Sequence, residues 1–228
     1  MPKPTTTPHI GVLAIQGDYE AHAAALEESG AIPSLVKDAS GLLRLDGKSI
    51  DGLILPGGES TTMLKFLERN HFFEALQAFA RQNPIFGTCA GAILLAGEVR
   101  NPSQRSLAVL DIAVERNAYG RQNDSTILML QTSLPALDVS AGEPLEAVFI
   151  RAPRIVRTGP GVDILAERDG FPVLVRQGRV MAATFHPELS ADRRVHRYFV
   201  DLVRAEILQT SRPDTEPGTE PQATSAAD

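Results

Sequence analysis

Four short apolar runs in the first ninety residues, 10–15, 32–36, 52–55 and 84–88, read as strands, and 52–55 and 84–88 are unbroken enough to be buried on both faces. Helical signals lie between and after them. Asp18 is the N-cap candidate for a helix over 19–29 that Gly30 stops. Ser60-Thr61-Thr62 opens a second, with Met63, Leu64 and Leu67 at helical spacing, and a third runs over 72–81 until Asn83-Pro84 breaks it. Strands alternating with helices imply an α/β fold: an open, mostly parallel twisted sheet with helices on both faces and right-handed crossovers. Such sheets keep functional loops at the carboxyl ends of their strands, and Gln16, Gly58 and Cys89 all fall at such ends.

From about Leu107 the texture changes to short strand-like runs at 112–114, 126–130, 147–150, 164–166, 173–175 and 180–184. Turn-rich pieces such as Ser140-Ala141-Gly142 and Gly159-Pro160-Gly161 separate them, so added antiparallel strands are expected. A last helix over 193–209 carries Val195, Phe199, Leu202 and Val203 as an apolar stripe, with His196 beside it in a structural role. His22, in the first helix, is expected on a partly exposed face. Residues 1–9, including His9, read as a flexible lead-in, 10–209 as one domain, and 210–228, which has no large apolar residue, as a disordered tail.

The stretch PIFGTCAGAILLA, 84–96, changes from strand to helix around Cys89. Gly87 and Gly91 flank that cysteine as a sharp turn requires, since residues without Cβ let neighbouring backbone pass close by. A thiol at a helix N-terminus faces unpaired N–H groups and the positive end of the dipole, which favour the thiolate. Cys89 is therefore a candidate nucleophile. Phe185-His186-Pro187-Glu188 follows the last strand, and His186 suits the base that takes and returns the thiol proton, with Glu188 orienting the ring. Backbone N–H groups of Gly58 and Ala90 are candidate oxyanion donors. The Gly57–Ser60 run, 57–60, lacks the Gly-Lys-Ser/Thr ending of a phosphate loop.

Composition narrows the classes further. A formal charge of -6 without a basic patch argues against nucleic acid or an anionic membrane as partner. The chain has one cysteine, so an internal disulfide is impossible, and a reactive thiol survives best in the cytosol. No stretch approaches the ~20 apolar residues of a membrane span, and 1–8 lacks the apolar core of a signal peptide. A cytoplasmic protein is expected. The five histidines are scattered and no nucleotide fingerprint is present, so neither metal nor cofactor is expected.

PGGEST from Pro56, GTCAG from Gly87 and HPE from His186 resemble the class I, triad-type glutamine amidotransferases. More narrowly, LAIQGDYEAH from Leu13, LPGGESTTM from Leu55, ERNAYGRQ from Glu115, FIRAP from Phe149 and ATFHPEL from Ala183 are similar to the glutaminase subunits of pyridoxal 5'-phosphate synthases, over about 10–208. The resemblance implies that L-glutamine is hydrolysed to L-glutamate and ammonia through a thioester on Cys89, with His186 and Glu188 completing the triad. It implies glutamine contacts from Gly58, Glu59, Ser60, Arg116, Ile150 and Arg151. It assigns Gln16 to activation when a partner docks. That partner is implied to be a TIM-barrel synthase subunit, in a hetero-oligomeric complex, which builds pyridoxal 5'-phosphate from the ammonia and two sugar phosphates. Departures lie in 134–143, which looks longer than usual, and in the tail. A stand-alone γ-glutamyl hydrolase with the same triad and a non-catalytic regulatory subunit remain open at this point. Activity with and without a partner separates them.

Overall fold

The computed structural model describes residues 7–69, 71–116, 125–134 and 143–210. The tail beyond 210, most of 134–143, part of the ERNAYGRQ stretch and the first six residues of the lead-in lie outside the described residues.

The first half alternates as its pattern requires: β1 (His9–Leu13), α1 (Tyr19–Glu28), β2 (Ile32–Val36), β3 (Gly52–Leu55), α2 (Ser60–Leu67), α3 (Phe72–Gln82), β4 (Ile85–Thr88) and α4 (Ala90–Leu95). The strand begins at His9, whose N–H bonds Asp51, so that residue belongs to the sheet and not to the lead-in. After α4 come β5 (Ala96–Arg100), β6 (Leu110–Glu115), β7 (Thr126–Leu130), β8 (Leu145–Phe149), β9 (Arg154–Thr158), β10 (Asp163–Arg168), β11 (Phe171–Gln177), β12 (Val180–Ala183) and α5 (Arg194–Thr210).

Seven strands form the main sheet in the order β10-β11-β12-β4-β3-β1-β2. The five from β12 to β2 are parallel, and only β10 and β11 add to it antiparallel. Those two are the expected antiparallel additions; the other later strands do not join the main sheet, β5, β6 and β9 making a three-stranded sheet and β7 with β8 a two-stranded one.

Side-chain alternation sends Leu53 and Leu55 to one face of β3 and Ile54 to the other. The first face packs against α2, α3 and α4. On α3 the buried set Phe72, Phe73, Leu76, Phe79 and Ala80 forms the stripe that a 3.6-residue period gives. The second face packs against α1 and α5 through Leu26, Val195, Phe199 and Val203. Among the described residues no helix is long and apolar enough to cross a membrane.

The two glycines around Cys89 hold β4, α4 and β3 at contact distance. A Cβ on Gly87 would lie 2.5 Å from the Gly91 carbonyl carbon, and one on Gly91 would lie 2.0 Å from the Leu55 carbonyl oxygen. Neither neighbour is a flexible side chain that can step aside. Gly91→Ala should therefore destabilise the fold by about 3 kcal/mol, the upper end for overpacking, read as a lowered denaturant midpoint at unchanged slope.

Candidate active site

Three adjacent strands deliver the site. Cys89 follows β4, Gly57 and Gly58 follow β3 on one side, and His186 follows β12 on the other. Cys89 has φ 47° and ψ -103°, a conformation that costs a side-chain-bearing residue about 1–3 kcal/mol. It is held there by its N–H, which donates to the Ala183 carbonyl at 2.8 Å. Close packing completes the corner: a Cβ on Gly57 would come within 2.4 Å of His186 Cε1 and 3.4 Å of Cys89 Cβ.

His186 Nδ1 lies 2.7 Å from Glu188 Oε1, both buried, because Pro187 starts a short 3-10 turn that brings the carboxylate back under the ring. Cys89 Cβ and the edge of the same ring both lie against Gly57, which sets the thiol beside the imidazole. Burial works against a charged imidazole, but the bonds to Cys89 and Glu188 and the charges of both outweigh it and raise its pKa to about 10. With Nδ1 engaged by the carboxylate, Nε2 is the nitrogen left to exchange a proton with the thiol.

These groups open onto a cleft of about 290 Å³, small for a ligand site and sized for an amino acid. It is lined by Cys89 and His186 together with the expected Gly58, Glu59, Ser60, Arg116, Ile150 and Arg151. Gln16, Ala90 and Glu188 are not among its lining residues. Glu59 is the N-cap of α2: its carboxylate accepts from Thr62 N at 2.9 Å and from the Thr61 hydroxyl. Partial burial tends to raise its pKa, yet the donors of Thr61 and Thr62 together lower it to about 2. The same carboxylate sits 3.2 Å from Arg116 Nη2, and the Nε of that arginine is buried without a hydrogen-bond partner among the described residues. Ser60 donates to Gln104 Oε1 at 3.0 Å. Gln16 donates from Nε2 to the Glu59 carbonyl at 2.5 Å and packs under Gly58, which has φ 123°.

Arg116 is not the solvated surface residue that its local sequence suggests, since its side chain is only 10% exposed. Gly17, Asp18, Ile93 and Pro153 also line the cleft, and Asp18 makes no side-chain capping bond to α1. Its carboxylate instead lies with His186 and Glu188, ligand atoms of all three within 4.8 Å of one another. His22 is the clearest correction. It is fully buried against the back of the site, not partly exposed. Its place in the inward set His22, Ala25 and Leu26 was a readable signal, because those positions share one helical face.

The sequence profile described as the SNO glutamine amidotransferase family matches residues 12–205. The chain belongs to that family. Among relatives of this glutamine amidotransferase, the pyridoxal 5'-phosphate synthase subunit PdxT of Koribacter versatilis is 54% identical over 195 residues, covering 86% of this chain and 95% of the relative. The protein of the same name from Thermotoga maritima is 50% identical over 196 residues, covering 86% and 99%. A crystal structure titled as a glutamine amidotransferase superposes with a TM-score of 0.74 at 42% identity, over 85% of this chain and 98% of that one. At 17% identity, a putative GMP synthase component from Thermoplasma acidophilum shares the fold, with a TM-score of 0.65 over 91% and 99%. The matched span of this amidotransferase contains every strand end that lines the cleft.

Proposed function

We propose that the chain is the glutaminase subunit of a pyridoxal 5'-phosphate synthase, hydrolysing L-glutamine to L-glutamate and ammonia. The observation that carries this reading is that Cys89 and His186, the latter backed by Glu188, line a small cleft that Arg116 also lines. The Cys89 thiolate attacks the δ-carboxamide carbon, and the carbonyl π electrons move onto oxygen, where N–H groups of Gly58 and Ala90 receive them. As the tetrahedral intermediate collapses, the C–N bond breaks and His186 Nε2 protonates the departing nitrogen, which leaves as ammonia. Water, deprotonated by the same nitrogen, then cleaves the γ-glutamyl thioester. The buried, unpartnered Arg116 Nε supports a carboxylate ligand beside it, with Glu59, Ser60 and the Ile150-Arg151 corner completing the glutamine site.

Ammonia released into solvent would be lost, so the partner is a TIM-barrel synthase subunit in a hetero-oligomeric cytoplasmic complex. High identity to proteins named PdxT supports this. Gln16 provides the coupling: it fastens the Glu59 carbonyl and underlies Gly58, so it can hold the oxyanion donor in one of two arrangements that docking selects. Steady-state hydrolysis should rise by at least about tenfold when the synthase is added. Gln16→Ala should reduce the stimulated rate and leave Cys89 alkylation intact. Equal rates with and without synthase would reject the subunit reading in favour of a stand-alone hydrolase.

A further inference from the structure

Glu188 spends one carboxylate oxygen on His186. The other, Oε2, is buried and makes no hydrogen bond of good geometry among the described residues, with His22 Nε2 waiting 3.3 Å away. That nitrogen is also 3.2 Å from the hydroxyl of Thr88, the residue before the nucleophile. On its other side, His22 Nδ1 is 3.0 Å from His196 Nε2, a contact between α1 and α5. The chain of contacts stops at His196 Nδ1, which is buried with no hydrogen-bond partner among the described residues.

That open end fixes the direction of the protons. An N–H buried without an acceptor is costlier and rarer than a bare acceptor lone pair, so His196 carries its proton on Nε2 and leaves Nδ1 bare. His196 therefore donates to His22 Nδ1, and the proton of a neutral His22 must be on Nε2, facing Thr88 and Glu188. Both rings are neutral at ordinary pH. Burial above all, joined by the rings of His196 and His186, lowers the His22 pKa well below its usual value, and burial with Arg193 lowers that of His196 to about 3 against the opposing pull of Glu28.

We propose that His22 is a positioning residue for the hydrolysis, its Nε2–H seating the second oxygen of Glu188 so that the Cys89–His186–Glu188 relay runs on through His22 to His196. The proposal rests on the glutaminase reading of the Cys89 site. A carboxylate bound at one oxygen turns easily about its last torsion, which has broad wells. A donor at the second oxygen keeps the first aligned with His186 Nδ1 and compensates the buried negative charge. A histidine that merely filled the space between α1, α5 and β4 would be indifferent to which ring nitrogen survived substitution.

Two polar variants separate these roles in the complex with the synthase. His22→Gln keeps a donor at the place of Nε2, whereas His22→Asn keeps a polar group at the place of Nδ1 and strips the donor from Glu188. His22→Asn should lower kcat by about 30-fold with KM for glutamine within about twofold, and His22→Gln should restore most of the rate. The second readout is Cys89 alkylation by iodoacetamide as a function of pH, which needs no glutamine. The charged and titratable groups facing the relay are Cys89, His186, Glu188 and Asp18 at the cleft and His196, Arg193 and Glu28 at the outer end. Without its donor Glu188 holds negative charge less well, so as pH falls the imidazolium loses its counter-charge sooner and the thiolate goes with it. The acid limb should thus move up by about one pH unit in His22→Asn and stay in place in His22→Gln. Should both variants fail to fold, His196→Leu, which frees His22 to carry its proton on either nitrogen, should move the same limb in the same direction. Asn and Gln variants with equal kcat and superimposable alkylation profiles overturn the relay, as does an unmoved limb in His196→Leu. A wild-type complex that hydrolyses no glutamine would remove the glutaminase reading, while the alkylation profiles would still decide the relay.

Discussion

Cys89→Ala should abolish glutamine hydrolysis, by on the order of 10⁴-fold or more, while the protein remains folded. Cys89 is the chain's one cysteine, and the cleft offers no other thiol that could form a thioester. Its backbone strain is a property of the corner, not of the sulfur, so alanine inherits the same φ and the melting temperature should move little. Wild type should take one equivalent of a glutamine-mimicking diazoketone, at Cys89, and the variant none. Turnover retained in Cys89→Ala would remove the nucleophile assignment outright.

The second large effect concerns the base. His186→Asn should cost about 10³-fold or more in kcat/KM in the complex, because the leaving nitrogen loses its proton donor. Glu188→Gln should cost less, about 10²-fold, since the imidazole stays but is poorly oriented. Alkylation rates sharpen the test. With the His186 pKa raised to about 10, the imidazolium opposite Cys89 persists from neutral pH until pH approaches that value. The wild-type thiol should accordingly react quickly at neutral pH, whereas in His186→Asn its reaction should require alkaline conditions. If His186→Asn matched wild type in hydrolysis and in this profile, the triad would be wrong.

The strand-end positions of Cys89, His186 and Gly58 were legible in the sequence because each sits in a short motif at a strand's carboxyl end, where turn chemistry is local. The parallel core was legible for a related reason: unbroken apolar runs such as 52–55 and 84–88 have few other places to go. The burial of His22 could have been read from the spacing of His22, Ala25 and Leu26, but its contact with His196 could not, because that partner lies 174 positions away. Arg116 looked solvated because Glu59, which receives it, comes 57 residues earlier. β5 was not read from the sequence beyond Ala96, which was taken as the end of the helix, and β9 was masked by the arginines at 154 and 157 around Ile155 and Val156. Short strands of this kind take their partners from tertiary context, which no local pattern records.

The order β12-β4-β3 has a stereochemical consequence. Neighbouring strands lie about 4.8 Å apart, so the sheet acts as a ruler that sets His186 one spacing to one side of Cys89 and the Gly57-Gly58 turn one spacing to the other. In the proposed reaction the amide oxygen must point toward the β3 side and the departing nitrogen toward the β12 side, with the remainder of the substrate reaching out along the cleft toward Arg116. Those three directions around one carbon leave a single face of the planar amide open to sulfur. In that reaction the handedness of the tetrahedral intermediate follows from the strand order itself, and a substrate offering its other face would place its oxygen against His186 and its nitrogen against the Gly58 N–H.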